Sequence, residues 1–222
     1  MEKKRIKAWA SLLLDGLLVA LIIASIIWMF WGFDGVLLAS NAEGFKYFTV
    51  ESNLFLGIAA ALSLPFDIQI LQGKREDRPK WLFLINHMAV MSTSVTMLTV
   101  FFFLGPTMGY ELMFMQVNLL MHLINPIIGL VRYLCFGHEE GKIKWQLSLL
   151  GALPVLLYGS VYVPNVVIHN GYGDPKYDWY GFGAGGAGGG ILSAFLMTFL
   201  TALLGLGLYF AREGIRRLRN RD

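Results

Sequence analysis

The sequence has almost no cysteine and little charge, and both shortages restrict the class of protein it can belong to. Of its 222 residues, one is cysteine, Cys135, and 15% are charged, compared with about 25% in soluble domains. A single cysteine excludes a disulfide within the chain and a metal site built on paired cysteines. Hydrophobic residues make up 56% and the mean hydropathy is +0.58, which is typical of a membrane protein.

Six apolar segments are long enough to cross a bilayer. Because about 20 helical residues span a hydrocarbon core of roughly 30 Å, these segments predict an all-α, polytopic membrane protein with one transmembrane domain over residues 1–222. The predicted spans are 11–31, 47–71, 81–104, 112–136, 146–163 and 191–210. The first span is longer than the core of a signal peptide and ends in bulky aromatic residues, which favours a retained helix.

Basic residues are distributed unevenly between the two sides of these spans. Sixteen of the 18 Lys and Arg residues lie at the two termini or around the loops that follow the second and fourth spans, whereas Lys46 and Lys176 lie on the other side. The positive-inside rule therefore predicts that both termini are cytoplasmic. Basic clusters beside membrane spans favour membrane lipids as partners, and we expect no nucleic acid. Near the same side, Asp15, Asp67 and Arg132 are expected to form ion pairs or to extend their charged ends to the membrane surface.

Two spans carry polar side chains toward the predicted outer side. Thr49 and Asn53 are four residues apart in the second span, and Asn118 and His122 are four apart in the fourth, so each pair shares a helix face. Ser52 lies in the same turn as Thr49. Because polar groups inside a membrane are costly, such polar stripes indicate a functional site.

The residue types in the stripes suggest nucleophilic chemistry. A threonine hydroxyl needs a base to take its proton, and neutral histidine is the usual base. Thr49 and His122 are therefore candidates for a catalytic pair, and Asn53, Asn118 and Ser52 are candidates for binding the substrate or an oxyanion. From the residues alone, the alternative is a structural hydrogen bond between the threonine and the histidine.

Two further patterns suggest a metal or a nucleotide, and we expect neither. His87, His122 and His169 offer zinc ligands together with Glu51 or Glu111, but no HExxH spacing occurs. The segment 181–190 contains a GxGxxG string, but it follows no predicted strand. We interpret it as a flexible lead-in or as small residues for close helix packing, and we expect no cofactor.

The motifs around the candidate pair resemble those of a known family. Tyr47-Phe-Thr-Val-Glu-Ser-Asn53 resembles an FT-x-x-SN signature, and His122-Leu-Ile-Asn-Pro126 resembles a second signature in which Pro follows His by four residues. Both belong to the androgen-induced membrane hydrolases, which include the androgen-dependent TFPI-regulating protein and bacterial relatives. The hydroxyl-rich segment 92–96 and the aromatic segment 178–180 fit less specifically.

The resemblance implies a function that the residues alone leave open. Members are six-helix proteins that hydrolyse lipid esters, notably fatty acid esters of hydroxy fatty acids, with a Thr nucleophile and an essential His that correspond to Thr49 and His122. It implies a lipid-like ester as substrate and, for a bacterial relative, the plasma membrane as location. The alternatives are a non-enzymatic carrier of lipids or small molecules that uses the same polar pocket, and a membrane scaffold.

Overall fold

The computed structural model describes residues 2–31, 41–136 and 144–219, and within these ranges the chain is helical with connecting turns and no β-strand. Each of six helices is long and apolar enough to cross a membrane, which confirms the predicted all-α class. They are α1 (Glu2–Trp31), α2 (Phe48–Leu71), α3 (Lys80–Met108), α4 (Val117–Phe136), α5 (Trp145–Ile168) and α6 (Gly186–Arg219). Shorter helices cover Asn41–Lys46 and Tyr110–Met113, and α5 opens as a 3-10 helix over Trp145–Ala152.

Several helix boundaries differ from the predicted spans. Helix α1 already begins at Glu2, because Lys, Arg and Glu are good helix formers and extend the helix beyond its apolar part. Helix α4 begins at Val117 instead of residue 112, because the chain turns at Gln116, where φ is +48° and ψ is −128°. His122 therefore lies near the beginning of its helix, at a depth similar to that of Thr49 in α2.

The glycine-rich segment 181–190 is divided between a turn and a helix. Gly186–Gly190 form the beginning of α6, which packs on α5. A Cβ atom added at Gly159 of α5 would lie 3.3 Å from the Cβ atom of Ala194, so small residues bring these two helices close together. Both residues of this contact lie outside segment 181–190, so the role of the segment stays a prediction.

Helices α3 and α4 each widen into a π turn shortly before a proline. The π turns cover Val100–Leu104 and Leu120–Ile124, and in each case the proline, Pro106 or Pro126, follows the turn by two residues. Proline has no N–H to donate to the carbonyl four residues earlier, so an ordinary α-helical hydrogen bond is missing at both places. We attribute the widening to that missing donor. The second π turn contains His122.

A buried cluster of four charges joins the helices at the end where α2 is followed by α3. Arg78 bonds Asp67 through Nε and Oδ1 at 2.8 Å and Asp15 through Nη2 and Oδ2 at 3.0 Å. Arg132 forms an ion pair with Asp15, with Nε lying 2.7 Å from Oδ1. All four side chains are at most 1% exposed as whole residues, and their charges cancel. The ion pairing predicted for Asp15, Asp67 and Arg132 is confirmed.

Candidate functional site

The opposite end of the bundle, here called the loop end, carries residues 41–47, 109–116 and 169–185. Asp178 organises the last of these segments. Its side chain is buried, and Oδ2 accepts hydrogen bonds from the backbone N–H groups of Gly173 at 2.9 Å and Gly183 at 3.0 Å. Oδ1 accepts a hydrogen bond from the hydroxyl of Tyr162 in α5. A Cβ atom at Gly183 would lie 2.9 Å from Oδ2, so only glycine permits this close approach.

Aromatic side chains of the same segment cover the first turn of α2. The Tyr180 hydroxyl accepts a hydrogen bond from the backbone N–H of Phe48 at 2.9 Å. Trp179 Nε1 donates to the Tyr158 hydroxyl at 2.8 Å, and Tyr158 donates to the carbonyl oxygen of Lys46 at 2.7 Å. Burial raises the pKa of Tyr180 to about 12. An ordinary tyrosine is already protonated at neutral pH, and the raised pKa moves the titration of Tyr180 further from neutrality, so its hydroxyl has a proton to donate beside Thr49.

Thr49 and His122 are brought together at the loop end. The distance between Thr49 Oγ1 and His122 Nε2 is 3.4 Å, the histidine is 6% exposed and the threonine is half-buried. This distance is long for a hydrogen bond, but catalytic hydrogen bonds are often long in ligand-free sites and shorten when substrate binds. The two residues belong to different helices and are separated by 73 positions in the sequence.

The second ring nitrogen of His122 defines which tautomer faces Thr49. Nδ1 lies 2.7 Å from the carbonyl oxygen of Met113, in the short helix that precedes the turn into α4. A carbonyl oxygen only accepts hydrogen bonds, so Nδ1 carries the proton and Nε2 presents its lone pair to Thr49. That arrangement is what a general base requires.

Two of the predicted binding residues are used to join helices. Both side-chain N–H groups of Asn53 donate to carbonyl oxygens, that of Thr49 at 2.8 Å and that of Met121 at 2.9 Å, while its Oδ1 accepts from Asn125 at 3.0 Å. No N–H group of Asn53 is left for an oxyanion in this arrangement. The Ser52 hydroxyl is buried and lies 3.1 Å from Thr96 Oγ1 of α3. Both residues hold Thr49 in position rather than facing the open space beside it.

The third predicted binding residue, Asn118, remains available. Its Nδ2 donates one hydrogen bond, to the carbonyl oxygen of Leu112 at 3.0 Å, and carries a second hydrogen. The side chain is half-buried and lines the same cavity as Thr49 and His122. Asn118 is therefore the predicted amide that is able to stabilise negative charge at the site.

Two cavities flank Thr49. The first, here called the histidine cavity, has an empty volume of about 680 Å³ and is lined by His122, Asn118, Val50, Met121 and other side chains. The second, here called the α5–α6 cavity, has an empty volume of about 620 Å³. The two cavities share three lining residues, which are Thr49, Leu104 and Tyr180.

The histidines considered as zinc ligands lie apart and have other contacts. His87 Nδ1 lies 2.7 Å from the Tyr133 hydroxyl and Nε2 lies 2.9 Å from the carbonyl oxygen of Ser148. His169 stacks on Tyr177 with ring centroids 4.3 Å apart. Within residues 2–31, 41–136 and 144–219, no three His, Cys, Asp or Glu side chains are grouped so that they could hold a metal ion.

The sequence did not indicate three parts of the site: Tyr180, Leu104 and the Met113 carbonyl. Tyr180 is 132 positions from Phe48, to which it is hydrogen-bonded, and no spacing rule connects such distant residues. The backbone carbonyl that orients His122 leaves no signature in side-chain chemistry. The aromatic composition of segment 178–180 was the one available signal, and it did not distinguish Tyr180 from its neighbours.

The described residues form a bundle with six helices able to span a membrane, and a threonine–histidine pair lies at one end, where two cavities meet at the threonine. No family model matches the chain, and no curated protein or solved structure is significantly similar to it. The chemistry of the site is therefore the basis for assigning a function.

Proposed function

We propose that the chain is an intramembrane lipid ester hydrolase with Thr49 as nucleophile and His122 as general base. The observation that carries the proposal is the 3.4 Å contact between Thr49 Oγ1 and the unprotonated Nε2 of His122. A histidine held by a hydrogen bond on its far nitrogen and aimed at a hydroxyl is the arrangement that activates a nucleophile. The neighbouring cavities supply space for the hydrocarbon part of a lipid.

The first half of the reaction transfers the acyl group to the protein. Thr49 Oγ1 forms a bond to the ester carbonyl carbon while His122 Nε2 takes the hydroxyl proton. The carbonyl oxygen becomes an oxyanion, for which the second amide hydrogen of Asn118 and the proton of the Tyr180 hydroxyl are the donors. The carbon–oxygen bond to the alcohol then breaks, and the leaving alcohol oxygen receives the proton from His122.

The second half releases the acid. A water molecule gives a proton to His122 Nε2 and forms a bond to the acyl carbon, after which the bond from that carbon to Thr49 Oγ1 breaks. Thr49 recovers its proton from His122, and the fatty acid leaves. The steps consume one water molecule, and we propose that they need no metal or cofactor.

The sequence resemblance supports the same assignment. The FT-x-x-SN and His-x-x-x-Pro motifs of the androgen-induced hydrolases coincide with Thr49, Asn53, His122 and Pro126. We also propose that both termini are cytoplasmic, that the chain resides in a bacterial plasma membrane and that the loop end faces outward. In that orientation a lipid ester of the outer leaflet, such as a fatty acid ester of a hydroxy fatty acid, reaches Thr49 from the side.

The proposal is tested by measuring fatty-acid release from a branched fatty ester by the purified protein in detergent. Wild type is compared with Thr49→Ala and His122→Ala, and Thr198→Ala and His169→Ala serve as matched controls outside the pair. We expect kcat/KM to fall about 10³-fold or more in both site variants and to stay at the wild-type value in the controls. Thermal melting shows whether each variant is folded.

An acid-quenched digest gives a second readout, because the peptide that contains Thr49 should gain the mass of the acyl group during turnover. Full activity in folded Thr49→Ala contradicts the assignment of the nucleophile. Saturable binding of the ester by wild type without any turnover favours a carrier, for which the two cavities are also suited. If the Thr49 and His122 variants change only the melting temperature and the wild type binds no lipid, the result favours a membrane scaffold.

A further inference from the structure

Each of the two cavities beside Thr49 offers space for one part of an ester, on one side or the other of the scissile bond. We propose that the alcohol arm of the ester lies in the histidine cavity and the acyl chain lies in the α5–α6 cavity. This assignment deepens the proposed hydrolase and rests on it. It defines the substrate class as an ester with two extended apolar arms, one on each side of the carbonyl.

Thr49 is placed so that one bound molecule can occupy both cavities. Thr49, Leu104 and Tyr180 line both spaces, so the nucleophile faces each of them across the same boundary. A carbonyl carbon beside Thr49 Oγ1 carries two substituents, the acyl chain and the ester oxygen with its alcohol. Because the substituents point in different directions from that carbon, two spaces meeting at the nucleophile suit an ester better than a single tunnel does.

The position of His122, which acts as general acid toward the leaving alcohol, determines which arm of the ester occupies which cavity. The leaving alcohol oxygen must receive its proton from His122 Nε2, so the alcohol has to lie on the histidine side of Thr49. His122 and Asn118 line the histidine cavity and do not line the α5–α6 cavity. The residues that line the histidine cavity also include Gly44, Tyr47 and Trp179 at the loop end.

The α5–α6 cavity has the lining expected of an acyl-chain site. Its walls include Val95, Val155, Phe182, Ala194 and Met197, and none of its lining residues is charged. Gly159 and Ala194 line it where α5 and α6 approach each other closely. An unbranched hydrocarbon chain is retained in such a space by burial alone, while the covalent bond to Thr49 forms and breaks at its end.

Substitutions that fill one cavity at a time test the assignment. Ser193→Phe narrows the α5–α6 cavity and Val50→Phe narrows the histidine cavity, while Met197→Ala and Met121→Ala enlarge them. Two ester series are hydrolysed: acyl chains from butanoyl to octadecanoyl on one constant alcohol, and straight-chain alcohols of the same lengths on one constant acyl group. The readout is the dependence of kcat/KM on the length of each arm.

We expect Ser193→Phe to lower kcat/KM for long acyl chains by at least about tenfold, because excluding two methylene groups from an apolar cavity already has that effect. Its alcohol-length profile should stay that of wild type, and Val50→Phe should show the reverse. If a filling variant does not fold, the enlarging variant of the same cavity should shift the optimum of the same arm to longer chains.

Two results would overturn the assignment of the arms while the proposed hydrolase stands: each filling variant lowers kcat/KM for the other arm, or each lowers it equally for both arms. A wild type that hydrolyses no member of either series overturns the proposed hydrolase and, with it, the assignment.

Discussion

The imidazole of His122 is oriented by the main chain at Met113, whose carbonyl oxygen lies 2.7 Å from Nδ1. In many hydrolases a carboxylate fills this position and stabilises the protonated ring. Here the carbonyl fixes the same tautomer without adding a buried negative charge. The turn between Met113 and Val117 therefore determines where the base points.

The acidic residues nearest to the pair in the sequence should be dispensable for catalysis. We expect Glu51→Gln and Glu111→Gln to keep kcat/KM for ester hydrolysis within about twofold of wild type, since both carboxylates are exposed and neither is hydrogen-bonded to the His122 ring. Measuring kcat/KM for both variants beside His122→Ala shows how large the loss is when the base itself is removed. A loss of tenfold or more in a folded Glu variant would reveal an acid partner for His122 and contradict the main-chain mechanism.

Asn118 and Tyr180 should influence the rate more than the binding of substrate. Removing one oxyanion donor lowers kcat by about 10²–10³-fold, and we expect Asn118→Leu and Tyr180→Phe each to have an effect of this order with little change in KM. Tyr110→Phe is the matched control, because its hydroxyl donates a hydrogen bond to the Phe101 carbonyl oxygen and Tyr110 is not among the residues that line either cavity. Equal losses in all three variants would indicate disruption of the loop end rather than a lost donor.

The buried charge cluster should be sensitive to the loss of a single partner. Removing one side of a buried ion pair leaves an uncompensated charge and costs about 3–5 kcal/mol, so Arg78→Gln should lower the free energy of unfolding by that order. Lys74→Gln, an exposed change in the same connection, should have little effect. Adding Asp67→Asn to Arg78→Gln restores the charge balance and should recover part of the loss. Unfolding in detergent monitored by helical circular dichroism measures all three, and no recovery would contradict the electrostatic explanation.

Gln116 should be a site where glycine stabilises the protein. Its φ of +48° and ψ of −128° are values that side chains rarely adopt, and such strain costs about 1–3 kcal/mol. Because glycine loses more backbone entropy on folding, we expect Gln116→Gly to raise stability by a net amount of about 1 kcal/mol. Gln146→Gly, within the helical start of α5, should lower stability by up to about 1 kcal/mol. A lower melting temperature in Gln116→Gly would show that its side chain contributes more than the strain removes.

The sequence indicated the parts of the molecule that follow from periodicity and from the cost of buried polar groups. Hydropathy alone gave the six spans, and the four-residue spacing in α2 and α4 suggested that Thr49 and His122 face each other. Arg78 was counted only among the basic residues of the loop after the second span, because nothing local shows that the chain folds back over Asp67. Asn53 was assigned to the oxyanion because its side-chain amide has hydrogens to donate. The sequence could not show that both N–H groups bond the backbone carbonyls of Thr49 and Met121, since backbone groups leave no sequence signature.

The π turn of α4 has a consequence for the whole length of that helix. An α-helix turns by about 100° per residue, so the one extra residue held in the widened turn rotates everything after it by about that angle relative to uninterrupted winding. With this offset, His122 faces the nucleophile at one end, and Arg132 faces Asp15 of α1 at the other. The π turn before Pro126 thus sets the rotation of the part of α4 that carries Arg132 relative to the part that carries His122. Both side chains reach their partners only with this rotation.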